Sequence, residues 1–186
     1  FGVDMLARLD GPQREAHARA VRRRIKELEQ RLAQRLPVYF IVTKSDLLPG
    51  FLEFFDDLDK ASREQVWGFT FPVSAAPEGL GAQFGAEFQA LGARLQERLI
   101  ERLQNERGPQ QRALIAGFPA QLASLEASLA AFVQAAFGGS KLDPAPFLRG
   151  VYLSSGTQEG TPLDRLAGAL SRSFGVDPSR PANIMG

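Results

Sequence analysis

Apolar residues recur at spacings of three and four along most of the chain, which is the pattern of amphipathic helices. The first run predicts a helix over 13–36, and the second predicts a helix over about 79–106. A third run lies between Gly108-Pro109 and Gly138-Gly139, and because the break before it is short, these last two helices are expected to pair antiparallel. Pro119 is expected to kink or restart the third helix, since proline has no N–H to donate. The stripes consist of Val21, Ile25, Leu28, Leu32 and Leu36; Phe84, Phe88, Leu91, Leu95, Leu99 and Leu103; and Ile115, Phe118, Leu122, Leu125, Leu129, Phe132 and Ala136.

Two short apolar runs, 38–42 and 150–153, have the β-branched and aromatic composition of buried strands. They are predicted to be parallel and adjacent. Between them, Phe51–Leu58 places four large apolar residues on one helical face, and Ser62–Gln65 has the spacing of a capping box, which predicts a helical turn over 62–67. Val66–Pro72 is a compact aromatic segment that is consistent with a short strand.

The segment after the second strand carries signals for a further helix. Thr161 is a suitable N-cap, and Pro162 stands at the first helical position, where its missing N–H costs nothing. An apolar stripe follows at helical spacing, and residues 177–186 are expected to be an irregular tail. The stripe is Leu163, Leu166, Leu170 and Phe174.

Composition excludes several classes of site. The 186 residues are 44% hydrophobic with a net charge of +1, so a sizeable core is expected and nothing favours nucleic acid or an anionic membrane. The absence of cysteine excludes disulfides and thiolate chemistry, and His17 is the single histidine. No run approaches the roughly 18 apolar residues of a membrane span. The chain starts at Phe1 rather than methionine and is expected to be part of a longer protein.

A candidate binding motif follows the first strand directly. Thr43-Lys44-Ser45-Asp46 resembles the Asn/Thr-Lys-x-Asp motif with which P-loop GTPases read the guanine base. Ligands of open parallel sheets bind outside the carboxyl ends of the strands, which is where these residues stand. Taken alone, the four residues are equally compatible with a solvated loop.

A second motif follows the second strand. Ser154-Ser155-Gly156, then Gly160 and the helix from Thr161, repeat the order of the second guanine contact in GTPases, with Ser155 where alanine is usual. The base-reading candidates are therefore Thr43, Lys44, Asp46, Ser154 and Ser155. No G-x-x-x-x-G-K-[ST] phosphate loop occurs, so catalytic and metal-binding residues are predicted to be absent.

The predicted fold is helix-rich α/β. Residues 1–49 and 149–176 would form the carboxyl-terminal half of a P-loop GTPase-like fold with a short parallel sheet. Residues 50–148 would be a mostly helical insertion. Such a half sheet would have open edges, so the first long helix is expected to depend on missing sequence or on a partner chain.

Several strings resemble one family over roughly residues 4–175. The most specific are Arg63-Glu-Gln-Val-Trp-Gly-Phe69 and Ser155-Gly-Thr-Gln-Glu-Gly-Thr-Pro162. They are similar to the cytoplasmic region of the TssM/IcmF family, inner-membrane subunits of type VI secretion systems. The resemblance implies an NTPase-like domain on the cytoplasmic face of the inner membrane. It also implies TssL and baseplate components as partners, with self-association of TssM-type subunits as a further option.

Two functions follow as expectations. The first is a scaffold that docks baseplate and membrane-complex partners for protein secretion, through Phe51–Leu58, Val66–Phe71 or the 79–137 helices. The second is a GTP- or ATP-binding NTPase domain, using Mg²⁺, whose phosphate loop lies upstream of Phe1. For these 186 residues alone, no hydrolysis and no cofactor are expected.

Overall fold

The computed structural model describes residues 1–63, 65–73, 79–139 and 143–155, and it is helix-rich with one small sheet. One core cluster unites the sheet and the helices. The elements are α1 (Val3–Arg8), α2 (Gly11–Leu32), β1 (Pro37–Val42), a 3-10 turn (Ser45–Leu47), α3 (Phe51–Phe55), α4 (Lys60–Arg63), β2 (Trp67–Thr70), α5 (Leu80–Asn105), α6 (Pro109–Ala123), α7 (Glu126–Phe137) and β3 (Phe147–Leu153).

The sheet has three strands in the order β1-β3-β2. β1 and β3 are parallel neighbours with Phe40 opposite Val151, which confirms the predicted pairing. β2 lies antiparallel on the other side of β3, so the sheet is mixed and the predicted short parallel sheet holds only for β1 and β3. A strand from the first quarter of the predicted helical insertion is therefore part of the sheet.

One face of the sheet carries the core. Phe40 of β1 stacks on Phe132 of α7, with ring centroids 5.1 Å apart. Val151 and Leu153 of β3 are buried on the same face. Parallel strands bury their side chains under helices; here α7 covers this face at β1, and α5 covers it at β2, where Phe84 packs edge-on against Phe69 with centroids 5.7 Å apart.

α5 packs against both α6 and α7, which gives the antiparallel hairpin that the Gly108-Pro109 break predicts. Of the two effects predicted for Pro119, a kink or a restart, the restart is wrong, because α6 continues through it to Ala123. The break falls at Ser124 and Leu125, where the Ser124 hydroxyl donates to the Gln121 carbonyl at 2.7 Å. α7 then ends at Phe137, before Gly138, as predicted.

α2 differs from its predicted range at both ends. Asp10 caps it by accepting the N–H of Gln13 at 2.8 Å, so the helix begins at Gly11. It ends at Leu32, because Ala33 adopts the left-handed conformation with φ of 50°. Leu36 is therefore not part of the helix. Leu28 and Leu32 are exposed, so the apolar stripe is buried only nearer the amino end of α2.

α4 also begins earlier than predicted. The Asp59 carboxylate accepts the Ser62 N–H at 2.8 Å, so Asp59 rather than Ser62 caps this turn. The helix covers Lys60–Arg63 instead of 62–67. The predicted helix from Thr161 and the tail 177–186 lie outside the described residues, as do Gly156 and Gly160.

Candidate functional site

The candidate site begins where β1 ends. Thr43 continues the strand direction and pairs in parallel with Gly2. Its N–H donates to the Phe1 carbonyl at 2.9 Å, and its carbonyl accepts the Val3 N–H at 2.9 Å. Both backbone groups of Thr43 are therefore bonded to the start of the chain.

Lys44 has a positive φ of 62°, in the left-handed region that non-glycine residues rarely adopt. Its ammonium group contacts the Asp4 carboxylate on α1, with Nζ 3.0 Å from Oδ2. Burial of Asp4 opposes ionisation, but the hydrogen bond and charge of Lys44, together with Arg8 and the Met5 N–H, outweigh it. The pKa of Asp4 is therefore below its ordinary value.

The two motifs meet at the carboxyl ends of β1 and β3. The Ser45 N–H donates to the Ser154 carbonyl at 3.1 Å, and the Ser154 N–H donates to the Val42 carbonyl at 2.8 Å. One step farther out, the Ser155 hydroxyl donates to the Asp46 carboxylate at 2.9 Å. These three contacts make the two loops a single unit.

Ser45 is the buried member of this unit. Its side chain is fully buried, and its hydroxyl has no partner within the part of the chain that the structure describes. Asp46, in contrast, is half-buried in the 3-10 turn and Ser155 is exposed. The exposed polar residues at this point are Thr43, Ser154 and Ser155, while Lys44 and Asp46 are partly exposed.

The structure brings the predicted residues together, and the charged side chains among them, Lys44 and Asp46, have partners within the chain. Lys44 is paired with Asp4, and Asp46 accepts from Ser155. Asp4 is the residue that sequence reasoning missed. It lies 40 positions from Lys44 on a six-residue helix, too short for a periodic pattern to reveal.

Other chemistry has little support in the described ranges. They contain no group of three or more His, Asp or Glu side chains arranged to hold a metal ion. A cleft of about 550 Å³ lies between α2 and α7, lined by Pro12, Arg14, Glu15 and Ala135 among others, and shares no residue with the two motifs. The two motifs that resemble the guanine-contact loops of GTPases are present in the sequence, but the sequence holds no G-x-x-x-x-G-K-[ST] phosphate loop.

The predicted contact segments are mostly core. Phe54, Phe69 and Phe71 are buried, and Trp67 packs edge-on against Phe55 with centroids 5.3 Å apart. The same segments also expose apolar side chains. These are Leu52, which is 62% exposed, Val66, which is 75% exposed, and Ile100 and Leu114 of the hairpin.

One helical stretch, Pro109–Phe137, is long and apolar enough to cross a membrane by length and composition. It comprises α6 and α7, which pack against α5, α2 and α3. Ile115, Phe118, Leu122 and Leu129 are fully buried in these contacts. A core helix passes the same test, so the stretch is weak evidence for a membrane span.

Comparison with protein families decides the classification. The model of the IcmF-related N-terminal domain matches residues 2–185. The chain belongs to this family. The resemblance to the TssM/IcmF family that the sequence strings indicate is thereby confirmed.

This IcmF-related domain is also similar to a curated protein, the type VI secretion system component TssM1 of Pseudomonas aeruginosa strain PAO1. The two are 47% identical over 176 residues, which cover 94% of this chain and 16% of the relative. The domain therefore spans about a sixth of that protein's length. No solved structure matches the chain.

Proposed function

We propose that this domain is a docking module of a type VI secretion membrane-complex subunit and binds baseplate components and TssL on the cytoplasmic side of the inner membrane. The observation that supports docking over nucleotide chemistry is the internal use of the base-reading groups. Lys44 is paired with Asp4 and Asp46 with Ser155. The similarity to TssM1 supports the secretion system as the setting.

The docking surface is proposed on α3 and α6. These helices pack on each other, and each exposes a leucine, Leu52 on α3 and Leu114 on α6. Beneath them Phe54 and Phe118 are fully buried, with centroids 5.1 Å apart, so the two leucines stand on a rigid base. Exposed apolar side chains on a rigid support are typical of protein contact sites.

A capture assay tests this surface. The chain, immobilised, is expected to retain the cytoplasmic domain of TssL or a baseplate subunit. Replacing both leucines, as Leu52→Asp with Leu114→Asp, should lower capture at least about tenfold, since a contact leucine is worth more than 1.4 kcal/mol. Val73→Asp, at an exposed apolar position outside α3 and α6, serves as the matched control. Retention of no partner by the unaltered chain would refute the proposal.

A nucleotide-binding role is the second candidate, in keeping with a GTPase-like fold. It is favoured by the position of Asp46 and Ser155 at the carboxyl ends of two adjacent parallel strands. GTP or ATP with Mg²⁺ would need a phosphate loop from upstream sequence and release of Asp46 from Ser155. Calorimetry on a longer chain that includes upstream residues tests this role, and Asp46→Asn should change the base preference. The absence of heat with GTP and with ATP would exclude it.

A further inference from the structure

The carboxyl end of α2 exposes two leucines side by side. α2 packs against α7, and the residues that it buries are Ala18 and Ile25. Farther along the helix, Leu28 and Leu32 are 50% and 56% exposed. They stand four positions apart, so they are neighbours on one face of α2. Together they form a small apolar ridge on the outside of the domain.

Arginines flank this leucine pair. Arg24 lies four positions before Leu28 and Arg31 lies three positions after it, so both share its face of the helix. Arg24 donates to the Glu27 carboxylate at 2.7 Å. Arg31 is exposed, and across residues 1–63, 65–73, 79–139 and 143–155 no carboxylate pairs with it. The apolar ridge therefore has a positively charged border.

Two more arginines meet where β1 and β3 begin. Phe147 is the first residue of β3 and pairs with Pro37, the first residue of β1. The guanidinium of Arg35 lies 4.9 Å from the centre of the Phe147 ring, and that of Arg149 lies 5.5 Å from it. No described carboxylate forms an ion pair with either group. Like charges on one ring repel each other, so an anion bound between them would stabilise both.

Arg35 connects the two groups, because it lies only three positions past the end of α2. The nearby carboxylates are engaged, since Glu27 accepts from Arg24 and Glu29 accepts the Leu36 N–H at 3.2 Å. The net charge of +1 for the whole chain hides this local excess of positive charge. We call this surface the basic patch, and it consists of Arg24, Leu28, Arg31, Leu32, Arg35 and Arg149.

We propose that the basic patch binds the surface of an anionic phospholipid membrane. Guanidinium groups form charge-assisted hydrogen bonds with phosphate, and each basic side chain near an anionic leaflet adds affinity. The two leucines stand on the convex side of a helix, which suits insertion into a soft interface. Arginine stems lie along apolar surface while their charged heads stay at the headgroups, so arginines and leucines act together.

This inference goes beyond the docking role. It rests on the proposed function only for which membrane the patch meets, the inner membrane. The patch also lies at the end of the sheet opposite Thr43–Asp46, because β1 and β3 are parallel and both motifs follow their carboxyl ends. Membrane contact at the basic patch therefore leaves the loops after the two strands free of lipid.

Fluorescence of the whole 186-residue chain with vesicles tests the proposal. The chain has no cysteine, so Leu28→Cys takes a single environment-sensitive nitrobenzoxadiazole label. Vesicles of phosphatidylcholine mixed with phosphatidylglycerol should shift the emission of this label to the blue, and added salt should weaken the response. Vesicles of phosphatidylcholine alone should not shift it. The same label at Ile100→Cys, an exposed position on α5, is the control and should not respond.

Charge reversal in the labelled chain tests the arginines. Arg31→Glu with Arg35→Glu should lower the affinity for the mixed vesicles at least about tenfold, because two attractive charges become repulsive. Arg94→Glu with Arg107→Glu changes the net charge equally at exposed positions outside the basic patch. This matched control should bind the vesicles as the unreversed chain does. Circular dichroism checks that both variants are folded.

Several results would overturn the proposal. These are no response of the Leu28→Cys label to mixed vesicles, an equal response to neutral vesicles, or equal losses in the two double arginine variants. A response to soluble polyglutamate as large as that to mixed vesicles would indicate an acidic protein partner instead, and would also overturn it. Vesicle binding involves no protein partner, so its failure is distinct from a failure of capture through α3 and α6.

Discussion

Asp46 and Ser155 lie 109 positions apart in sequence and are joined by a hydrogen bond of 2.9 Å between the Ser155 hydroxyl and the Asp46 carboxylate. The bond ties the loop after β1 to the loop after β3. Below it, the Ser45 N–H and the Ser154 carbonyl make the same connection through the backbone. The Thr43–Asp46 motif, which resembles a guanine-binding motif, therefore links the loops that follow two parallel strands.

The hydrogen bond between Ser155 and Asp46 predicts that substitutions at the two residues have non-additive effects on stability. Asp46→Ala or Ser155→Ala should each lower the free energy of unfolding by about 1 kcal/mol, the usual worth of one such bond. The double variant should lose little more than either single variant, because both remove the same bond. Urea denaturation measures this. Ser154→Ala is the control, because Ser154 contributes through its backbone N–H and carbonyl. This variant should unfold at the same urea concentration as the wild type.

The ion pair of Asp4 and Lys44 predicts a pH dependence with a definite sign. The pKa of Asp4 is held below 3.8, so the pair stabilises the folded state above that pH and its contribution is lost as pH falls through the folded-state pKa. Lys44→Met removes the hydrogen bond and the positive charge that lower the pKa of Asp4, while the burial that raises it remains. The pKa of Asp4 should therefore rise in this variant. Carboxyl chemical shifts followed by NMR titration measure this value, and an unchanged pKa would contradict the assigned cause.

The same ion pair predicts how the stability of Lys44→Met depends on pH. Lys44→Met should be less stable than wild type at pH 7. The difference should shrink under acid conditions, because protonated Asp4 no longer gains from the Lys44 charge. Urea midpoints at pH 7 and near pH 3 provide the comparison. A constant difference at both pH values would mean that Lys44 contributes by packing rather than by charge.

Arg102 is a buried cation that connects the helical hairpin to α3. Its guanidinium donates to the Glu53 carbonyl at 2.7 Å and to the Asp56 carboxylate at 2.5 Å. Arg102→Met removes both bonds from a side chain that is 6% exposed, so stability should fall by about 2–3 kcal/mol. Arg94→Met, at an exposed position of the same helix, should change it by less than about 0.5 kcal/mol. Thermal unfolding distinguishes the two.

Two glycines form a matched pair for substitution. Gly50 has φ of +83°, and an added Cβ would meet the Leu114 carbonyl, so Gly50→Ala should destabilise the fold by at least about 2 kcal/mol. Gly117 lies inside α6, and an added Cβ there meets nothing within 4 Å. Gly117→Ala should therefore stabilise by up to about 1 kcal/mol. Equal effects at both positions would contradict the described contact between α3 and α6.

Local patterns predicted much of the fold because the relevant signals are local. β1, β2 and the end of α7 at Gly138 follow from apolar runs and chain breakers. The parallel pairing of β1 with β3 was also predicted, because the loops after the two strands resemble, in order, the two guanine-contact loops of GTPases, whose strands are parallel neighbours.

The features that the sequence did not predict depend on contacts between distant parts of the chain. The stripe through Leu28 and Leu32 suggested burial, but whether a helical face is covered depends on distant elements. Pro119 is accommodated inside α6, because the tertiary contacts that bury it offset the lost hydrogen bond. The role of Asp4 was not predicted either, because it too depends on a distant part of the chain. Its partner Lys44 lies 40 residues away, and no spacing rule connects them.

The central claim is that this IcmF-related domain works through its α3–α6 surface while the motif at Asp46 holds the strands together. The most direct test measures the affinity of the chain for TssL and baseplate subunits in three forms: wild type, Asp46→Ala, and Leu52→Asp with Leu114→Asp. The account predicts that Asp46→Ala binds as wild type does, whereas the leucine variant loses at least about tenfold in affinity. Loss of binding in Asp46→Ala together with wild-type affinity in the leucine variant would contradict it.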